Sequence, residues 1–165
     1  MTANSTSSVR HCSIDDASLL RGIRLEALLD SPQAYGSTYE ECRTWADRHW
    51  RALCREWNYY IAEDKGRVVG VASGGKNELH PGTRWLYGMY VSPASRGEGI
   101  AEQLVDVVEQ WARKEGVDAL YLHVSEPMLR ARAFYERVGF HATGDVMTMD
   151  RDASILLHTM VKSLD

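Results

Sequence analysis

One segment constrains this chain more than any other. An apolar stretch, Leu86-Tyr87-Gly88-Met89-Tyr90-Val91, passes through Ser92-Pro93 into the turn Arg96-Gly97-Glu98-Gly99-Ile100-Ala101 and then into a long amphipathic pattern. The order is strand, glycine turn, helix. A helix start leaves several backbone N–H groups without intrahelical partners, and the helix dipole places partial positive charge there. Glycines let that backbone approach a ligand closely, so the segment suits an anion, most naturally a phosphate or pyrophosphate.

The rest of the chain must build a fold around that turn. Its 165 residues suit one domain with a sizeable core. Apolar residues make up 44% and charged residues 25%, with no biased tract, as in ordinary globular proteins. The net charge of −4 argues against nucleic acid as a partner, which needs a basic footprint. It fits a cationic or neutral substrate, or simply an acidic solvated surface. No apolar run approaches the ~18 residues of a membrane span, so no membrane partner is expected. Met1 to Ser8 is small and polar, lacks the apolar region of a signal peptide, and reads as a flexible tail. Cys12, Cys42 and Cys54 are odd in number and form no CxxC pair, so neither a disulfide framework nor a metal site is expected. They read as buried thiols in a reducing cytoplasm.

Val9 to Ile14 reads as a first strand, and Asp15 or Asp16 caps a helix that runs to Asp30 and stops at Ser31-Pro32. Ser37-Thr38-Tyr39-Glu40 carries a capping box, which opens a second helix with Cys42, Ala46, His49, Trp50 and Leu53 on one face. Asn58–Glu63 and Val68–Gly74 form a hairpin, and Arg84 to Val91 is the next strand. After the glycine turn, a helix turns Ile100, Leu104, Val107, Val108 and Trp111 inward and stops at Gly116. Ala119 to Val124 is a short strand. A last helix has Pro127 in its first turn and Ala131, Phe134, Tyr135 and Val138 inside, ending at Gly139. Two strands, Ala142–Met149 and Ser154–Val161, close the chain. The order βααβββαβαββ predicts an α/β (α+β) fold, a mixed and mostly antiparallel sheet flanked by helices.

A glycine turn alone is a weak signal, but three features lift this one. Arg96-x-x-Gly99-x-Ala101 is similar to the Gln/Arg-x-x-Gly-x-Gly/Ala loop of the GCN5-related N-acetyltransferases. Downstream, Ala131-Arg132-Ala133-Phe134-Tyr135-Glu136-Arg137-Val138-Gly139-Phe140 resembles that superfamily's Ala-x-x-Leu/Phe-Tyr-x-x-x-Gly-Phe segment. The element order also agrees, so the resemblance covers nearly the whole chain. A dinucleotide-binding domain is the poorer match: the glycine turn comes after the middle of the chain, and no acidic residue ends a following strand at the expected distance.

The resemblance implies that the fourth and fifth strands splay apart to admit acetyl-CoA. It assigns the pantetheine arm to the backbone of Met89, Tyr90 and Val91, and the pyrophosphate to Arg96, Gly97, Glu98, Gly99, Ile100 and Ala101. Met128 and Ala131 border the cofactor at the head of the last helix. Many members carry Asn where this chain has Met128, and a thioether cannot donate a hydrogen bond. Tyr135 falls on the family's tyrosine near the CoA sulfur.

The implied activity is transfer of acetyl from acetyl-CoA to a primary amine by direct attack in a ternary complex. The rival is a non-catalytic acyl-CoA-binding or regulatory module on the same fold. An amine of pKa ~10.4 is mostly protonated at pH 7, and making it neutral costs roughly 4.6 kcal/mol. His123 is the candidate base, since an imidazole is partly neutral near pH 7. A structural strand histidine is the equal alternative, and Glu126, Glu78 and His80 are weaker candidates. Tyr35, Trp85 and Tyr87 are candidate walls of the acceptor pocket, while Trp45, Trp50, Trp57 and Trp85 are equally candidates for the core. Small-molecule amines and protein N-termini both remain open as acceptors, and so does a homodimer.

Overall fold

The computed structural model describes residues 6–165. The strands are β1 (Ser8–His11), β2 (Asn58–Asp64), β3 (Arg67–Gly75), β4 (Trp85–Val91), β5 (Ala119–Ser125), β6 (His141–Met149) and β7 (Asp152–Ser163). The helices are α1 (Ala17–Asp30), α2 (Tyr39–Cys42), α3 (Asp47–Glu56), α4 (Ile100–Lys114) and α5 (Leu129–Arg137). One seven-stranded sheet runs in the order β1-β2-β3-β4-β5-β7-β6. All neighbours are antiparallel except β4 and β5.

The alternation of apolar residues feeds two cores, one on each face. In β2, Tyr59 and Ile61 point to the α1–α3 face, while Ala62 joins the α4–α5 face. Leu20, Ile23, Ala27 and Leu28 of α1 pack with Trp50 of α3 on the first face. Ile100, Leu104, Val105 and Val108 of α4 pack with Leu120, Leu122 and Tyr135 on the second.

The pair β4–β5 is the exception that makes a site. Its only ladder pair is Trp85 with Tyr121, at the start of β4, where Tyr121 N–H also donates to Arg84 O at 3.0 Å. Beyond that rung the strands part. A bulge gives β4 one extra residue opposite Val71–Ser73, and Gly88 takes a left-handed φ of 60° there. Such a bulge bends its strand and breaks the ladder, which a residue with a Cβ would adopt only with strain.

Four local expectations are revised. The first strand ends at His11, because Asp16 accepts from Ser13 N–H at 2.8 Å and turns the chain toward α1. The single second helix expected after the capping box at residues 37–40 divides into α2, capped by Thr38, and α3. Thr44 Oγ1 donates back to Glu41 O at 2.7 Å, competing with the helical ladder. Pro127 lies ahead of α5 rather than in its first turn, since Met128 is the N-cap residue. At the N-terminus, Ser8 already belongs to β1, and Ser7 Oγ accepts from Gln103 Nε2 at 3.2 Å. The remainder of the expected tail, residues 1–5, lies outside the described residues.

Candidate active site

The split between β4 and β5 opens into a cleft of about 840 Å³. Three elements meet there: the bulged end of β4, the glycine turn with the start of α4, and α5. The N-cap of α4 is Gly99 at φ 83°, and Gly97 lies at φ 82°. The first backbone bond of α4 runs from Gln103 N–H to Gly99 O at 3.2 Å. The N–H groups of Ile100 and Ala101 therefore stand ahead of the helical ladder, where an anion can accept them. Neither glycine has an atom within 4 Å of where a Cβ would stand, so their left-handed backbone, and not crowding, requires glycine.

The Arg96 side chain turns away from this cradle. Its Nε donates to Val91 O at 2.9 Å and its Nη2 to Asp30 at 2.8 Å, locking the end of β4 to the end of α1. That guanidinium holds the Asp30 carboxyl below the usual range. Glu98 is exposed and does not line the cleft. Met89, Tyr90, Val91, Arg96, Gly97, Gly99, Ile100, Ala101, Met128 and Ala131 all do. Met128, as N-cap of α5, offers no side-chain acceptor to the helix start.

Tyr135 also lines the cleft and is otherwise buried, its ring 5.8 Å from that of Phe140. Burial raises its pKa above the ordinary tyrosine value, so it is protonated at neutral pH. On β5, His123 faces the cleft while its Nδ1 lies 3.2 Å from Thr159 Oγ1. Burial, and then the neighbouring His80, lower its pKa below 6.5, so the ring is neutral at pH 7.

Tyr35 and Tyr87 line the cleft, as expected for walls. Trp85 does not. It is 2% exposed, donates from Nε1 to Thr83 Oγ1 at 2.6 Å, and packs against His123 with ring centroids 4.5 Å apart and planes tilted by 39°. It is a support for the histidine, not a wall. Of the weaker bases, His80 lines the cleft, while Glu78 and Glu126 do not.

Sequence reasoning passed over Arg24 and Ser125, which line the cleft. The signal for Arg24 was present: it falls four residues from Leu20 and from Leu28, a charge inside an apolar helical stripe. Met147, Thr148, Met149 and Asp150 supply a further wall that the sequence of an edge hairpin does not announce.

Two parallel strands diverge into a wedge that ends at a glycine-rich helix start, an arrangement with a free strand edge beside free backbone N–H groups. The family model for the acetyltransferase (GNAT) family matches residues 25–140. The chain belongs to that family. It is 34% identical over 103 residues to the acetyltransferase Atu2258 of Agrobacterium fabrum, covering 61% of this chain and 70% of that one. It is 33% identical over 90 residues to N-acetyltransferase family 8 member 2 of Rattus norvegicus, and there the match takes in 53% of this chain and 40% of the relative. Among solved structures, yncA of Salmonella typhimurium with its cofactor acetyl-CoA has the same fold, with a TM-score of 0.79 at 22% identity, covering 98% and 95% of the two chains.

Proposed function

We propose that this protein is an acetyl-CoA-dependent N-acetyltransferase that acetylates a primary amine by direct attack, with both substrates bound together. The observation that carries this reading is the opening of β4 from β5 directly beside the unpaired N–H groups at the start of α4. Such a cleft offers an added strand position for a pantetheine arm and an anion cradle for a pyrophosphate. The residues present fit that cofactor: Ile100 and Ala101 supply N–H donors, and the left-handed glycines keep the approach open.

Bound acetyl-CoA supplies an electrophilic thioester carbonyl and a thiolate as leaving group. In becoming an amide the acceptor's ammonium nitrogen gives up two protons, and the departing sulfur takes one. His123, neutral at pH 7, accepts one at Nε2 from the acceptor's ammonium group if its Nδ1 carries the hydrogen toward Thr159 Oγ1. Tyr135 keeps its proton at that pH and donates it from Oη to the departing sulfur, and the second proton leaving the acceptor nitrogen restores the tyrosine. The three cysteines are buried and none lines the cleft, which favours direct transfer over a covalent acetyl-cysteine.

The test is a panel of primary amines with acetyl-CoA, read by release of free thiol. Thiol release that depends on the amine and is lost in Tyr135→Phe supports the reading. Tight acetyl-CoA binding with no release from any amine would identify an acyl-CoA-binding module instead.

A further inference from the structure

Arg24 is a cation that lies over the Tyr35 ring and has no carboxylate partner among the described residues. It stands in the apolar stripe of α1, half-buried, and lines the cleft. Its Nε is out of contact with solvent and has no hydrogen-bond partner, and among the described residues no carboxylate forms an ion pair with it. The other arginines of the cleft differ. Arg96 is held by Asp30 and Val91 O, Arg137 is paired with Glu102, and Arg130 is exposed to water. The terminal nitrogens of Arg24, which lines the cleft and has no carboxylate partner, are the donors a ligand can meet, while the buried Nε–H adds to the cost of leaving this guanidinium uncompensated.

The surroundings say what that ligand is. The guanidinium lies 5.6 Å from the centroid of the Tyr35 ring, and its Nη1 is 3.0 Å from where a Cβ on Gly88 would stand. It therefore reaches the β4 bulge, at the fork of the sheet. It arrives from the α1 face, whereas the pyrophosphate cradle belongs to α4 on the opposite face. Phosphates held at α4 leave Arg24 for the other substrate. A guanidinium fork matches a carboxylate with two parallel hydrogen bonds.

The size of the acceptor follows from a second contact. Arg151, in the β6–β7 turn, donates from Nε to Tyr35 O at 3.0 Å and from Nη2 to Pro32 O. This joins the two walls, Ala34–Ser37 and Met147–Asp150, that line the cleft. Walls tied together in this way suit a small molecule better than an extended protein segment.

Building on the acetyltransferase reading, we infer that Arg24 binds the carboxylate of the acceptor, which is a small molecule carrying both an amine and a carboxylate, of the amino-acid class. The experiment uses the protein loaded with CoA for binding and supplied with acetyl-CoA for turnover, with free amino acids and the matching amino-acid amides and decarboxylated amines. Binding is read by calorimetry and turnover by thiol release. The acids are expected to exceed their amides by about 10- to 100-fold in affinity and in kcat/KM. Arg24→Gln should collapse that ratio, Arg24→Lys should restore part of it, and acetyl-CoA affinity should stay unchanged in both. Equal use of acids and amides by the unaltered protein overturns the inference, as does a ratio that survives Arg24→Gln. Turnover only of amines that lack a carboxylate sinks the inference and leaves the acetyltransferase reading standing. Carboxylate binding that depends on Arg24, with no thiol released from any amine, does the reverse. Neither binding nor turnover with any compound overturns both.

Discussion

The hydroxyl of Tyr35 donates to the main-chain carbonyl of Met89 at 2.8 Å, bridging the loop after α1 to the freed edge of β4. The same tyrosine's carbonyl accepts from Arg151. Tyr35 is thus fixed at both ends, and Met89 O, on the strand edge expected to meet pantetheine, already has one donor. A carbonyl has two lone pairs, so a second donor from the cofactor is compatible with it. Tyr35→Phe removes one partly buried hydrogen bond and should cost about 0.5–1.5 kcal/mol of stability. Urea denaturation measures this, and acetyl-CoA affinity should not fall.

The glycine turn and the Arg96 side chain are separable. Gly99→Glu places a charged side chain on a left-handed backbone at the anion cradle, and should weaken acetyl-CoA by about 10-fold or more. Arg96→Ala releases Val91 O and Asp30 instead, and should lower stability more than it lowers affinity. Calorimetry and thermal melts on both variants decide the matter. Unchanged affinity in Gly99→Glu would remove the cradle from the cofactor site.

Tyr135→Phe keeps the buried ring and removes its proton. Acid–base groups contribute roughly 10²–10⁴-fold, so kcat should drop by about 10²-fold or more with acetyl-CoA affinity little changed. Steady-state kinetics and calorimetry give the two numbers.

His123 sets a pH dependence of known sign. Its neutral form is the base, and its pKa is lowered, so activity should rise with pH along a limb lying below pH 6.5. His123→Ala should abolish that limb. If the limb persists in the variant, deprotonation belongs to water or to the acceptor itself.

Asp16 sets a second dependence, on stability. Arg10 and Ser13 hold its carboxyl at about 2, against an ordinary value of 3.8. A depressed folded-state pKa means the contribution is complete above the unfolded value and is lost as pH falls from 3.8 toward 2. Urea midpoints across that range should fall steeply, and less steeply in Asp16→Asn.

Met128→Asn would give α5 the side-chain acceptor its N-cap lacks, a gain of about 0.5–2 kcal/mol set against the packing of a half-buried thioether. The melting temperature should stay within a few degrees. A large loss would mean that packing at Met128 outweighs any cap.

The elements legible in the sequence are those whose signals are local. The glycine turn, the apolar face of α4 and the β2–β3 hairpin follow from spacing and turn chemistry within a few residues. The division of the second helix was hidden, because it depends on one hydroxyl, Thr44 Oγ1, choosing Glu41 O over solvent. Trp85 was ambiguous for a different reason. An aromatic at a strand start serves as wall or floor depending on its neighbours, and here β5 brings Tyr121 to stack on it and His123 to pack against it at a tilt. Arg24 was overlooked because its meaning lies in what does not pair with it, and pairing is a property of the folded chain.

The single rung between β4 and β5 has a mechanical consequence. Strands β1–β4 and strands β5–β7 are two half-sheets whose hydrogen-bonded ladders barely connect, and α4, packed on β2, β3, β4 and β5, is the body that both halves share. Coupling between the halves then relies on packing against that helix and on the Arg151–Tyr35–Met89 bridge as well as on the single rung. A ligand seated in the fork would act as a splint, making one elastic unit of two and raising hydrogen-exchange protection on both strands at once.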